Sequence, residues 1–388
     1  MTAITNIEDL RRIAKRRMPK VMFEYVDSGS YDEITMRANR SELQAIRLRQ
    51  RVLVDATGRS MATEMLGEKV AMPLAIAPTG LTGLVYGDGE ILAAKAAQAA
   101  GIRFCLSTMS ICTIEDIAEA TTEPFWFQLY VFRDRAFSET VIARARAAKC
   151  SALFVTVDLP LRGQRHADIK NGLTVPPSLT LQNAFDIARR PAWAMRVLFG
   201  KRRTFGNIDT YLKGKSVSES RVNWSQQHFD QTLSWRDIAW VRKLWPGKLV
   251  LKGILDVDDA KTAVSVGADA IVVSNHGGRQ LDGVPASITA LPDIAAAVGD
   301  RIEVLFDGGI RSGQDVLKAL ALGARGCLIG RAFLYGLGAM GEAGVTKALD
   351  IIRSELDISM ILTGSKDLSK VGRDVLYDAA PGRAYPRN

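Results

Sequence analysis

Short apolar runs rich in β-branched residues alternate with segments of helical spacing along most of this chain. The alternation begins at about residue 72. "PLAIAPT" predicts a strand, and "GEILAAKAAQAAG" a helix ending at Gly101. "FCLST" follows as a strand, then "TIEDIAEAT", a helix with Thr113 in the N-cap position. "PFWFQLY" and "ALFVTVD" are the third and fourth strands, separated by the helix "RAFSETVIARARAAKC". The order lapses until "SWRDIAWVRKLW", a helix capped by Ser234. Strands "KLVLKG", "AIVVSN", "IEVLFDGG" and "GCLIG" then alternate with helices "DVDDAKTAVSVGA", "SITALPDIAAAV" and "SGQDVLKALALGA", before a closing helical segment. Strands this short and this uniformly apolar are covered on both faces.

Eight strand–helix units predict an α/β fold, most simply a closed (β/α)8 TIM barrel, with a doubly wound open sheet as the alternative. A barrel needs about 250 residues, and the chain has 388. The surplus falls in two places: a helical N-terminal extension before the first strand, and an insertion after strand four, from about Lys170 to Leu233. The whole is read as one domain, 1–388.

In a barrel the site forms at the carboxyl ends of the strands. In order, these ends are Pro78-Thr79-Gly80, Ser107-Thr108, Gln128-Leu129-Tyr130, Thr156-Val157-Asp158, Lys252, Ser274-Asn275-His276, Asp307-Gly308-Gly309 and Gly330-Arg331. Every one carries polar groups, which cost free energy there unless something pairs with them. The glycine-rich turns and arginines of "DGGIRSG" and "IGRAF" occupy the usual phosphate-binding corner of a barrel, with Arg311 and Arg331 as donors. Lys252 is open to three readings: a snorkelling stem, a Schiff-base lysine, or a positive charge facing a cofactor. His276 is the one strand-end histidine of the three in the chain; His166 lies in a loop and His228 in the insertion. With Asp158 at another strand end, His276 has the makings of an oriented general base.

Composition narrows the alternatives. Net charge is +9 with a pI of about 9.4. No zinc-finger spacing, RNP-type motif or long basic run accompanies it, which argues against nucleic acid. Cys105, Cys112, Cys150 and Cys327 show no C-x-x-C spacing and read as reduced thiols. No His/Cys cluster suggests a metal. The N-terminus lacks the apolar core of a signal peptide, and "VAMPLAIAPTGLTGLVYG" is too broken by proline and glycine to span a membrane. "GLGAMG" matches G-x-G-x-x-G but follows no strand of a βαβ unit, so a Rossmann site is rejected.

The segments "MPKVMFEYVDSG", "APTGL", "LSTMS", "WFQLYV", "TVDLP", "GQRHADIKNG", "LVLKGIL", "SNHGGRQLDG", "DGGIRSG" and "LGARGCLIGRAFLYG" run through almost the whole chain. In them the chain resembles the FMN-dependent L-2-hydroxy acid dehydrogenases and oxidases. Within that family, "FRDRAF", "VNWSQQHFD" and the basic insertion point to the respiratory L-lactate branch over the mandelate branch. The resemblance implies FMN as cofactor and a quinone or cytochrome as acceptor. It makes His276 the base, Asp158 its partner, Arg165 and Arg279 the holders of the substrate carboxylate, and Tyr25 and Tyr130 its hydrogen-bonding tyrosines. Pro78, Thr79, Gly80, Ser107, Gln128, Thr156 and Ser274 would line the flavin, with Lys252 at its N1–C2 edge. Asp307, Gly308, Gly309, Arg311, Gly330 and Arg331 would meet the ribityl chain and phosphate.

Two departures stand out. Gly80 takes a place where many oxidases of the family have alanine, which points away from oxygen as acceptor. "DSGSYDE" differs from the commoner N-terminal form. The family also implies a homotetramer. A hydride route and a carbanion route are equally compatible with these residues.

The stretch "IARRPAWAMRVLFGKRRTFGNIDTYLKGKS" is basic and carries Trp193, Phe199 and Phe205, expected to be exposed. It reads either as a lid over the barrel mouth or as a segment that binds anionic lipid. The second reading puts the protein in the cytoplasm, peripheral on the inner face of the cell membrane. A non-enzymatic, basic membrane- or nucleic-acid-binding barrel is the competing functional class; a colourless protein that takes up no FMN would favour it.

Overall fold

Three helices precede the barrel: α1 (Ile7–Arg17), α2 (Lys20–Asp27) and α3 (Ile34–Ala45). Asn6 caps α1 by accepting from the Asp9 amide, and Lys15, Arg16 and Arg17 complement the negative end of its dipole. An antiparallel hairpin follows, β1 (Thr63–Met65) and β2 (Glu68–Val70). These elements come from a computed structural model that describes residues 3–173, 181–213 and 229–377. His228 and much of the insertion lie outside the described residues.

Eight parallel strands then close on themselves: β3 (Leu74–Ile76), β4 (Arg103–Ser107), β5 (Trp126–Leu129), β6 (Ala152–Thr156), β7 (Lys248–Ile254), β8 (Ala270–Val273), β9 (Glu303–Asp307) and β10 (Gly326–Ile329), with β10 pairing to β3. The closed order excludes the open doubly wound sheet. Between the strands run α4 (Thr82–Val85), α5 (Gly89–Ala99), α6 (Ile114–Ala120) and α7 (Arg135–Ala147). After β6 come α8 (His166–Lys170), α9 (Leu181–Ala188), α10 (Pro191–Val197), α11 (Gly206–Leu212) and α12 (Trp235–Leu244). The circuit is completed by α13 (Val257–Ser265), α14 (Ser287–Val298), α15 (Gly313–Ala321), α16 (Arg331–Met340) and α17 (Glu342–Thr363). Thr113 and Ser234 take the N-cap positions expected of them: Thr113 Oγ1 accepts from the Asp116 amide, and the Ser234 amide donates to Asp237 Oδ2.

The barrel interior is filled, not hollow. Cys105, Trp126, Phe154, Val250, Val272, Leu305 and Leu328 pack there, with the Trp126 and Phe154 rings stacked at 5.1 Å. Met65 and Leu66 of the hairpin plug the amino-terminal end. Trp126 Nε1 donates to Glu68 there, and the Leu66 amide donates to Glu303. One end of the barrel is thus sealed, and the polar strand ends are left at the other. The G-x-G-x-x-G glycines serve packing: a Cβ on Gly336 would lie 2.2 Å from the Gly344 carbonyl oxygen, so the two glycines let α16 and α17 touch backbone to backbone.

The described part of the insertion is docked on the barrel. Trp193 is 5% and Phe205 4% exposed, against expectation, while Phe199 is 75% exposed. Trp193 Nε1 donates to the Leu84 carbonyl, and the Gly206 amide donates to that of Ser110. Arg202 bridges Asp88 and Asp116. The local sequence is basic enough to suggest solvent, but the loops after β3 and β4 give these two rings an apolar seat.

Candidate active site

Strand β7 explains how two distant residues meet. Asp158 follows β6 and His276 follows β8, so β7 lies between them. Its register shifts between Lys252 and Ile254, at Gly253, whose φ is +106°. A Cβ on Gly253 would lie 2.5 Å from Asp158 Cγ. The missing side chain is the gap through which Asp158 Oδ1 reaches His276 Nδ1, at 2.9 Å. Gly253→Ala should therefore push the carboxylate off the imidazole as well as strain the backbone. We expect kcat to fall by about 10²-fold, the scale of a small misplacement of a reacting group. Wild-type kcat in this variant would contradict the steric argument.

Both members of the pair are largely buried. Burial opposes ionisation of Asp158, but His276 and Lys252 more than offset it and hold the carboxyl below its ordinary value. Burial, with Lys252 and Arg165 nearby, pulls His276 below its ordinary value despite Asp158. The imidazole is therefore neutral near pH 7. An ionised carboxylate can only accept, so Nδ1 carries the hydrogen and Nε2 keeps a lone pair. That is the state a general base needs.

Lys252 is 5% exposed and donates to Ser274 Oγ at 2.9 Å, with Asp307 Oδ2 at 2.7 Å. Burial works against the ammonium, yet Asp307 and Asp158 keep its pKa above the ordinary lysine value. A lysine held cationic is not poised as a Schiff-base nucleophile, which leaves the reading as a fixed positive charge.

These groups open on one cavity. It is lined by Tyr25, Pro78, Thr79, Gly80, Tyr130, Arg165, Lys252, His276, Arg279, Asp307, Gly308, Gly309, Arg311, Gly330 and Arg331, all picked from the sequence. Ser107, Gln128, Thr156, Ser274 and Asp158 are not in the lining. They sit behind it: Ser107 Oγ donates to Gln128 Oε1, and Ser274 Oγ accepts from the His276 amide. Sequence reasoning did not find the apolar wall of Leu81, Met109, Leu159, Leu173, Phe205 and Phe229. Nothing in local chemistry marks those residues. Phe205 and Phe229 reach the site only because the insertion folds back, and Phe229 sits edge-on to Tyr130 at 5.7 Å.

The arginines divide their work. Arg279 Nη1 donates to the carbonyls of Tyr25 and Ser28, and its guanidinium lies 4.9 Å over the Tyr25 ring. Arg331 donates to the carbonyls of Val26, Gly277 and Ser28, so it also braces the N-terminal extension. Burial pulls Arg331 down to about 10, and Arg165 down to about 9 with Arg279 beside it. A buried guanidinium short of counter-charge is a ready site for an anion. Tyr130 is pushed up by burial and by Asp158, so it stays a hydroxyl donor.

The residues fit a flavin nucleotide. Gln128 Nε2 is a buried donor and Asp307 Oδ1 a buried acceptor, each lacking a protein partner. Gly308 and Gly309 turn through φ values of 120° and 91°, which bare the backbone beside Arg311. At Gly330 a Cβ would meet only Thr79 Cγ2, at 3.8 Å. The corner thus has room, donors and positive charge. Among the described residues no group of three His, Cys, Asp or Glu side chains could hold a metal.

A carboxyl-end face of this kind marks a class of barrel enzymes that bring a small anion against a phosphate-bearing cofactor. The chain belongs to the FMN-dependent dehydrogenase family, whose model matches residues 14–378. It is 47% identical to an L-lactate dehydrogenase of Caulobacter vibrioides (strain NA1000 / CB15N), over 97% of this chain and 99% of that one. An L-lactate dehydrogenase of Vibrio parahaemolyticus serotype O3:K6 is 48% identical over 95% of this chain and 97% of its own. Among solved structures, the monotopic membrane protein (S)-mandelate dehydrogenase superposes with a TM-score of 0.91 at 35% identity, covering 97% of this chain and 100% of that one. The cofactor of this chain is accordingly FMN.

Proposed function

We propose that this chain oxidises an L-2-hydroxy acid, L-lactate in the first place, to the 2-oxo acid and passes the electrons to a quinone or cytochrome. The observation that carries this reading is the placement of a neutral His276, held by Asp158, beside the under-compensated Arg165. It sets a proton acceptor next to a carboxylate site. Bound FMN supplies the two-electron acceptance that the oxidation needs. His276 Nε2 takes a substrate proton. Asp158 keeps the tautomer and steadies the charged ring that results. Arg165 and Arg279 hold the carboxylate, and Tyr25 and Tyr130 donate to the substrate oxygens. The apolar wall of Leu81, Met109, Phe205 and Phe229 receives the substrate's side chain.

Toward the cofactor, Pro78, Thr79, Gly80, Ser107, Gln128, Thr156 and Ser274 would surround the flavin ring. Asp307, Gly308, Gly309, Arg311, Gly330 and Arg331 would hold its ribityl phosphate. Lys252 would supply a positive charge that favours negative charge on the bound ring. Lys252→Met should lower the flavin's reduction potential, and an unchanged potential would remove that role.

L-Lactate is preferred because relatives named L-lactate dehydrogenase are 46–48% identical over nearly their full length, against 35% for (S)-mandelate dehydrogenase. A steady-state screen of lactate, glycolate and mandelate enantiomers, with oxygen and a quinone analogue as acceptors, tests substrate and acceptor together. Fastest turnover with (S)-mandelate sinks the lactate assignment. Oxygen as the best acceptor sinks the respiratory one.

We place the protein on the cytoplasmic face of the cell membrane, as a peripheral protein. Exposed Phe185, Met195 and Phe199 lie among exposed Arg189, Lys201 and Arg203 on the docked insertion, the composition of an interfacial surface. No described helix is long and apolar enough to cross a membrane. Recovery of the protein in the supernatant at low salt, with native membranes present, would refute this placement.

A further inference from the structure

Among the described residues His276 is the one histidine that lines the cavity, and it sits in the left-handed region, with φ of +57°, followed by Gly277 and Gly278 at +66° and +71°. Glycine adopts that region freely; a histidine does so only when its surroundings hold it there. The surroundings are visible. The Asn275 side chain accepts from the Gly278 amide at 3.1 Å, which closes the turn around His276. The same side chain makes a reciprocal amide pair with Asn39 of α3: Asn39 Nδ2 donates to Asn275 Oδ1 at 2.8 Å, and Asn275 Nδ2 donates to Asn39 Oδ1 at 2.9 Å. Asn275 Nδ2 also donates to the Pro285 carbonyl, and Asn39 Oδ1 also accepts from the Ser287 amide. Both asparagines are buried, Asn39 being 2% exposed.

Asn39 lies 236 residues from its partner, in the extension outside the barrel. The extension is itself fixed against the same strand ends. Asp282 accepts from the Thr35 amide at the start of α3, and Lys318 donates to the Leu43 carbonyl near its end. The Asn39 carbonyl lies so near Gly309 that a Cβ there would come within 2.2 Å of it. A rigid helix thus presents one amide to the turn that carries the proton acceptor.

We propose that Asn39 is a positioning residue for the proton acceptor: its amide pair with Asn275 holds the left-handed turn that aims His276 at Asp158. The proposal rests on the function given above for its kinetic readout, but not for its spectroscopic one. Asn39→Asp is nearly isosteric. It keeps the acceptor for Ser287 and withdraws the donor from Asn275 Oδ1. Asn39→Ala removes both.

In the FMN-loaded enzyme each variant should lose about 10-fold or more in kcat, as misaimed reacting groups do, with KM and FMN content held. The three histidines of the chain make the His276 imidazole assignable by NMR. Asp158, Lys252 and Arg165 face it, and only Asp158 favours its charged form. A ring turned away from Asp158 should therefore titrate at lower pH than in wild type. The double variant Asn39→Ala/Asn275→Ala should lose no more than the worse single one, because both act through one pair. Three results overturn the proposal: a lower Tm with wild-type kcat and His276 titration, single effects that multiply, or losses confined to FMN content. If Asn39→Ala does not fold, Asn39→Asp decides by the same readouts. If wild type oxidises no 2-hydroxy acid, the functional reading fails, and the His276 titration still tests Asn39.

Discussion

Replacing His276 by glutamine lowers kcat by about 10²- to 10⁴-fold, the range a positioned general base supplies, and leaves FMN bound. Glutamine fills similar space and can still hydrogen-bond, but it cannot take a proton near neutral pH. The pH profile adds a second arm. His276 lies below its ordinary value because it is buried beside Lys252 and Arg165. Wild-type kcat/KM is therefore flat through neutrality and falls as pH drops through that depressed value, where the ring gains a proton and stops accepting one. His276→Gln removes this limb with the rate. A variant that keeps activity, or keeps the limb, assigns the proton to another group.

Arg165→Met produces the second large effect, and on a different parameter. Arg165 is 8% exposed, donates from Nε to the Arg279 carbonyl, and among the described residues has only Asp168, 4.0 Å away, as an ion-pair partner. An anion docking there completes its charge. Truncating one partner of a buried charge pair costs about 2–5 kcal/mol, so KM and the constants for carboxylate inhibitors should rise roughly 30-fold to several thousand-fold. FMN affinity should change little. Titrating the variant with oxalate, with absorbance and FMN retention read together, checks this. Equal loss of inhibitor and cofactor affinity would mean that Arg165 supports the pocket as a whole.

The strand ends were legible from sequence because β3 to β10 are apolar runs that each stop at a polar cluster, and a parallel barrel must gather such clusters on one face. Asp158 and His276 could be paired in outline for the same reason. What could not be read was the device that lets them touch. Gly253 looks like an ordinary glycine after Lys252, and only the bulge in β7 and the Asp158 carboxylate above it give it a purpose. Arg279 and Arg331 likewise read as anion binders. Their bonds to the carbonyls of Tyr25, Val26 and Ser28 come from an extension whose docking no local pattern announces. Trp193 and Phe205 misled in the opposite direction, since a basic segment suggests solvent until the loops after β3 and β4 are seen beneath it. These features depend on contacts between segments far apart in the chain, where periodicity carries no information.

We propose that the cavity joins FMN, a carboxylate site and a neutral histidine in order to oxidise an L-2-hydroxy acid. Anaerobic mixing of the purified FMN-loaded protein with L-lactate tests it in a single turnover. We expect rapid bleaching of the flavin's visible band, one pyruvate formed per flavin, and no bleaching by D-lactate. A flavin left oxidised by L-lactate and by every other L-2-hydroxy acid, or a protein that takes up no FMN, would contradict it.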